Sequence, residues 1–313
     1  MNHHLLCTLG LLALCAACSN DESPSASSTD GGAGADGASD ASIVDSGNTG
    51  DASGTGDARG TGDAEAGVDP CAKSFFCDDF ESYTAGGAPG GKWGKSENGG
   101  TIVVDALRAH SGRNAVKASA AAAAGYRSAM ISLTDVSLFP VAGNHVFGRM
   151  MFYLDSSPTG NVHWTFLDGS GTTSQGYHSI YRYGGQTPLA NGNQLMANYD
   201  TPDSYRSPPV GPSSDCWLHA TTEVVPVAKW SCAEWEFDGP SNTMRFWLDT
   251  APLTDLTMSG TGQGCVHQPA TFPWLAPQFT RIDLGWESYQ ADGARTLWID
   301  DVALGTERLG CPR

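Results

Sequence analysis

Polar and apolar residues alternate in short bursts along the last three-quarters of the chain. The runs "HVFGRMMFYL", "VHWTFLD", "YHSIYRYGG", "AEWEFD", "MRFWLD", "RIDLGWESY" and "TLWIDDVAL" are rich in β-branched and aromatic residues and change side at every second position. Gly, Pro, Asn and Asp separate them, as turn residues do. Only "VKASAAAAAGYR" (116–127) has a helical composition, and it reads equally as a strand margin and loop. Many short strands over residues 71–313, with no internal repeat, predict one all-β sandwich rather than two domains.

Period-two alternation also predicts which side chains share a face. Val162, Trp164 and Phe166 form an apolar side, with His163 and Thr165 opposite. His178, Ile180, Arg182 and, if the strand continues, Gln186 lie together, against Tyr177, Tyr181 and Tyr183. Ile282, Leu284 and Trp286 oppose Arg281, Asp283, Glu287 and Tyr289. Three strands thus present polar groups on the side away from an apolar layer, the pattern of a sheet with a ligand-facing surface. Gly184 and Gly185 mark either a bulge or turn, or a place where a ligand comes close to the backbone.

The first seventy residues follow no such pattern. "MNHHLLCTLGLLALCAACSN" has an apolar run too short to span a bilayer and ends in small residues before a cysteine, the form of a bacterial lipoprotein export signal. Residues 1–18 are read as that signal. Cys18, preceded by two alanines, is a better lipidation candidate than Cys15, and plain secretion is the alternative. Residues 19–70 are Ser, Gly, Ala, Thr and Asp with an imperfect "TGDA" repeat, so they are read as a disordered tether. Eleven acidic residues and one basic residue, Arg59, give this segment about ten of the seventeen net negative charges. The acidic balance excludes nucleic acid as a partner, because phosphate binding needs a basic face. The expected location is the outer membrane or cell surface, through an N-terminal lipid anchor. Cys71, Cys77, Cys216, Cys232, Cys265 and Cys311 remain for the domain, an even number that suggests disulfides in an exported protein.

"CDDFES" (77–82), "AHSGRNAVK" (109–117), "NVHWTFLD" (161–168), "RYGGQ" (182–186), "WSCAEW" (230–235) and "LGWESYQADGARTLWIDDVALGTERLGC" (284–311) carry a family resemblance. In this order they resemble the core domain of the cellulose-induced secreted proteins of cellulolytic fungi, which is similar to glucuronan lyases and more distantly to alginate lyases. Segments 187–229 and 250–278 match poorly. The resemblance implies a concanavalin A-like β-jelly roll with a concave carbohydrate cleft. It implies a structural Ca2+ on Glu81, Ser111 and Asp300, and hard oxygen donors suit that ion. It also implies a Cys232–Cys311 disulfide, with Cys71–Cys77 and Cys216–Cys265 as the remaining pairs.

The implied activity is β-elimination on a uronic-acid polysaccharide. One group neutralises the C6 carboxylate, a base removes the C5 proton, and an acid protonates the departing O4. On this reading Gln186 and Arg182 hold the carboxylate, Tyr289 is the acid, alone or as acid and base together, and His163 is the base or a stabiliser. His178 shares the face of Arg182, and Asn198 and Asp203 match polar cleft positions that contact sugar. The bland alternatives are a structural histidine, an arginine paired with an acid, and an edge tyrosine. Trp217, Trp230 and Trp274 are candidates for stacking on sugar rings, although most tryptophans of such a domain are core. Glu234, Glu236 and Asp238 share a face, as glycosidase carboxylates do, but without the spacing of sandwich glucanases. A monomeric, calcium-dependent carbohydrate binder without catalysis is the main alternative, since fold does not fix function.

Overall fold

A computed structural model of the chain describes residues 71–202 and 210–312. Cys18, the tether and Asp203 therefore lie outside the described residues. Seventeen strands occur among them, in two antiparallel sheets. The nine-stranded sheet contains β1 (Ser74–Asp78), β3 (Gly100–Asp105), β4 (Ala115–Ala120), β6 (His145–Leu154), β11 (Trp230–Asp238), β12 (Thr243–Leu248), β13 (Ala251–Pro252), β14 (Met258–Ser259) and β17 (Arg295–Gly305). Its main path runs β13-β12-β11-β6-β17-β4-β3, and β1 pairs with the end of β17 that β4 leaves free. The eight-stranded sheet contains β2 (Trp93–Asn98), β5 (Ala123–Leu133), β7 (Trp164–Thr173), β8 (His178–Leu189), β9 (Gly192–Thr201), β10 (Ser214–Val224), β15 (Gly264–Val266) and β16 (Pro277–Asp292). Its order is β15-β10-β9-β8-β7-β16-β5-β2. The helical-looking stretch 116–127 is strand and loop: β4 ends at Ala120, with Ala118 and Ala120 buried, and β5 begins at Ala123. No helix among the described residues is long and apolar enough to cross a membrane.

The core lies between the sheets and is built by the predicted alternation. Tyr181, Tyr183, Leu284 and Trp286 from one sheet and Trp235, Phe237, Phe246 and Phe152 from the other are buried. Phe166 meets Phe152 with ring centroids 5.4 Å apart, and Trp164 stacks on Trp286 at 4.8 Å. Strict alternation fails in the middle of β7. The β7 ladder shifts register between Thr165 and Leu167, so Phe166 and Leu167 both point inward. That bulge restores Thr165 and Asp168 to the same outward face.

The double glycine lies beside this bulge. A Cβ on Gly184 would come 1.8 Å from the Trp164 carbonyl oxygen, and one on Gly185 would come 2.2 Å from the Gln194 carbonyl oxygen. Close approach of neighbouring strand backbones thus accounts for both glycines. Disulfides join Cys71 to Cys77, Cys216 to Cys265 and Cys232 to Cys311. The second links neighbouring strands β10 and β15, and the third ties β11 to the C-terminal tail. Trp274 is fully buried and stacks on Tyr199, so it is a core residue and no sugar platform.

Candidate functional site

The outward face of the eight-stranded sheet gathers the polar groups. Cross-strand register aligns Ser132, Asp283, Asp168, Arg182 and Asn198 on β5, β16, β7, β8 and β9. One step along the strands, Glu287, Thr165, Gly184, Met196 and His219 form the next row. Tyr289 follows Glu287 on the same face, and His163 precedes Thr165.

His163 and Tyr289 are direct neighbours. Their rings lie 4.7 Å apart, and the Tyr289 backbone N–H donates to the His163 carbonyl at 3.0 Å. The Gln290 carboxamide accepts from the His163 N–H at 2.6 Å and fixes the entry of this segment. His163 is buried, and its Nε2 has no hydrogen-bond partner. Burial, and next the positive field of Arg182, push its pKa down to about 3, so it is a neutral imidazole at ordinary pH.

Arg182 completes the group. Its guanidinium carbon sits 5.6 Å from the Tyr289 ring centroid, and Nη1 donates to Asp200 at 2.6 Å and to Asn198 at 3.4 Å. Burial opposes its charge, but Tyr289, Asp200, Glu287 and Asp168 outweigh that and hold the cation more firmly than usual. Its Nε is buried without a partner. The Tyr289 hydroxyl donates to Glu287 at 2.8 Å, and the Tyr126 hydroxyl donates to the other oxygen of Glu287 at 2.9 Å. Burial and then the Glu287 carboxylate hold the Tyr289 phenol well above its ordinary pKa, against the pull of Arg182. The phenol therefore keeps its proton at ordinary pH.

The remaining predicted residues fall at different distances from this centre. Asn198 is buried and fully used: its amide donates to Asp215 at 2.6 Å and to the Cys216 carbonyl at 2.8 Å, while its oxygen faces Arg182. It positions Arg182 rather than presenting itself to a ligand. The Gln186 carbonyl accepts from Val162 N–H at 3.2 Å, which sets Gln186 beside the residue preceding His163. Its carboxamide has no hydrogen-bond partner among the described residues. His178, half-buried, is four residues from Arg182 along β8, about 13 Å at the strand rise.

Sequence reasoning gave no role to Asp168, Asp200 or the Glu287 bridge. Asp168 is buried beside Asp283, and burial, then Asp283 and Glu287, raise its pKa well above the carboxylate range. Asp283 accepts from Arg281 at 2.5 Å and from Ser132. The outward alternation of β9 and β16 was the available signal for Asp200 and Glu287, whereas Asp168 reaches this face only through the bulge in β7.

The implied calcium ligands meet around one loop. The Glu81 Oε1 accepts from the Arg113 and Asn114 backbone N–H groups at 2.7 and 2.6 Å. Asp300 Oδ2 accepts from His110 and Ser111 N–H at 2.7 and 3.1 Å, and the Ser111 hydroxyl donates to Asp301 at 2.7 Å. Burial, and next Asp301, push Asp300 up to about 7. A buried acid raised by a neighbouring acid is a group that a cation would relieve, so this oxygen-rich loop fits a hard ion. Another group of side chains able to hold a metal is His145, Glu236 and Asp238, where His145 and Arg245 already pair with Glu236 at 2.8 and 2.6 Å. Glu234, the third acid on that face, is covered by Arg308 at 2.7 Å.

The sequence model of the polysaccharide-lyase-like family described as "Cip1-like, core domain" matches residues 79–307. No curated protein matches the chain. The structure is similar to that of a cellulose-induced protein, Cip1, at 24% identity and a TM-score of 0.53, covering 75% of this chain and 99% of that one. It is also similar to an endo-β-1,4-glucuronan lyase from the fungus Trichoderma reesei, at 15% identity and a TM-score of 0.46, covering 75% and 96%. At 24% identity the likeness to Cip1 is one of fold.

Proposed function

Because the chain belongs to the polysaccharide-lyase-like family of Cip1-like core domains, we propose that it eliminates a uronic-acid polysaccharide on the outward face of its eight-stranded sheet. The observation that carries this reading is the trio of His163, Tyr289 and Arg182, with ring centroids 4.7 Å apart and the guanidinium 5.6 Å from the phenol ring. The Arg182 Nε and the Gln186 carboxamide, both without hydrogen-bond partners among the described residues, receive the C6 carboxylate and so acidify the C5 proton. The unpartnered Nε2 of neutral His163 takes that proton. The C4–O4 bond breaks as the C4=C5 bond forms, and the Tyr289 hydroxyl protonates O4. Glu287, bridging Tyr289 and Tyr126, orients the acid.

A structural Ca2+ held by Glu81, Ser111 and Asp300 would neutralise acids where β1, the 110–114 loop and β17 meet. It supplies no step of the elimination. An N-terminal lipid on Cys18 would tether the domain at the cell surface; Cys18→Ser should then move the chain from the membrane to the soluble fraction.

The activity is tested by incubating the full chain with glucuronan, alginate and polygalacturonate and following the ultraviolet absorbance of unsaturated uronate. Tyr289→Phe and His163→Ala should each lower the rate at least a hundredfold while the circular dichroism stays unchanged. One observation favours a second reading, binding without elimination. Asp168, Asp200, Asp283 and Glu287 surround the trio, and such acids suit the hydroxyls of a neutral glycan better than a polyanion. No absorbance change on any polyuronate, together with retention on a neutral glycan, would decide for the binder.

A further inference from the structure

The nine-stranded sheet turns its own outward face away from the cleft. There, cross-strand register places Trp230 of β11 opposite Tyr153 of β6, Tyr153 opposite Trp298 of β17, and Trp298 opposite Lys117 of β4. The three aromatic side chains are half-buried and form a continuous row, with ring centroids 5.9 and 5.7 Å apart. The C-terminal tail covers the neighbouring part of the same face through Arg308–Glu234 and Cys311–Cys232, and Arg149 donates to the Gly310 carbonyl. None of these tail contacts involves the aromatic row.

Arg108 lies on this row. Its guanidinium carbon is 3.8 Å from the Tyr153 ring centroid and 4.9 Å from that of Trp298. It makes no ion pair or hydrogen bond with any described residue, and its Nε is buried without a partner. Lys117 sits 5.5 Å from the Trp298 ring, and its nearest acid, Asp105, is 4.0 Å away while accepting from the Trp298 Nε1 at 2.8 Å. Two cations thus border an aromatic strip. One is held flat by its ring contacts, with guanidinium donors unused. Arg108 takes a face of Tyr153, which leaves Trp230, covered by no cation among the described residues, to stack on the apolar face of a sugar ring, and a fixed guanidinium takes carboxylates in a two-point geometry.

We propose that Arg108, Tyr153, Trp230 and Trp298 form a second glycan-binding surface, specific for an anionic, carboxylate-bearing polysaccharide chain. The strip runs across four strands at about 4.8 Å spacing, long enough for two to three sugar units. The surface works independently of catalysis in the cleft. It would keep a long polymer on the protein whether or not the opposite face cuts it.

Hydroxyl-radical footprinting of the full-length Tyr289→Phe chain, with and without polygalacturonate or alginate, tests this. Trp230 and Trp298 should be protected at least threefold by the polyuronate and left unprotected by a neutral glucan of equal length. Arg108→Gln should remove that protection and weaken retardation in a polyuronate gel about tenfold, with Arg108→Lys intermediate. Tyr126, beside the cleft, reports cleft occupancy separately, so loss of the elimination reading leaves this test standing. Equal reactivity of Trp230 and Trp298 with and without polyuronate overturns the proposal. So does equal protection by the neutral glucan, or protection that survives Arg108→Gln.

Discussion

His163, the base of the proposed elimination, also bears on stability. Its folded pKa, about 3, lies below the unfolded value of 6.5, so the native state refuses a proton that the unfolded chain accepts. The stabilisation from keeping it neutral is therefore complete above pH 6.5 and is lost as pH falls toward 3. A His163→Gln variant should lose less stability than the parent between pH 7 and pH 4, by on the order of 3 kcal/mol, as read by urea unfolding at the two pH values. An equal acid loss in both proteins would rule the account out. The histidine, arginine and tyrosine were legible as types on one face, because alternation and motif agree there. Their partners were less so. Asp200, which pairs with Arg182, lies at the end of a strand in a segment that matches the family poorly, and no spacing rule ties it to residue 182.

Elements were legible where period two holds and illegible where it breaks. The β16 face follows the alternation of "RIDLGWESY" directly, and "TLWIDDVAL" puts Trp298 outside and Ile299 inside as a strand should. The bulge at Phe166 left no mark in the sequence, since two adjacent apolar residues also fit a wide strand. It nevertheless decides that Asp168 shares the face of Thr165. The run of alanines at 120–124 reads equally as helix or as strand margin and loop, and it is the second: β4 ends at Ala120, where β3 and β17 pair with it, and β5 begins at Ala123. Gly184 and Gly185 are the clearest link between sequence and element. Because a Cβ at residue 184 would meet a backbone oxygen that cannot swing aside, Gly184→Ala should cost about 3 kcal/mol. Thermal unfolding should show it as a drop of roughly 6–12 °C for a domain of this size. A variant that melts with the parent would mean that β7 and β8 are held less closely than the geometry requires.

For the whole molecule, the critical junction is where distant parts of the chain converge on β17. β1 pairs with its end, the 110–114 loop folds onto Asp300 and Asp301, and Glu81 reaches the same loop from the segment after β1. The last bulge of β17, between Asp300 and Ala303, turns both acids toward that loop, with Asp301 in the left-handed region at φ 48°. His110 Nδ1, 2.6 Å from Asp301, and the nearby charge of Arg149 offset one of the two adjacent buried carboxylates, and Asp300 is left as the acid that a further cation would relieve. Calcium bound at a hundred times its dissociation constant would add about 2.7 kcal/mol to the folded state. Chelation should therefore lower the melting temperature by roughly 5–10 °C, and added Ca2+ should restore it where Mg2+, which demands tighter octahedral geometry, does not. Glu81→Gln should melt at the same temperature with and without chelator, since one charged ligand is gone. The cleft residues lie on the other sheet, so the elimination rate below the melting transition should not change on chelation. If it falls while the fold persists, the ion reaches the chemistry and the separation of clip from cleft drawn here is wrong.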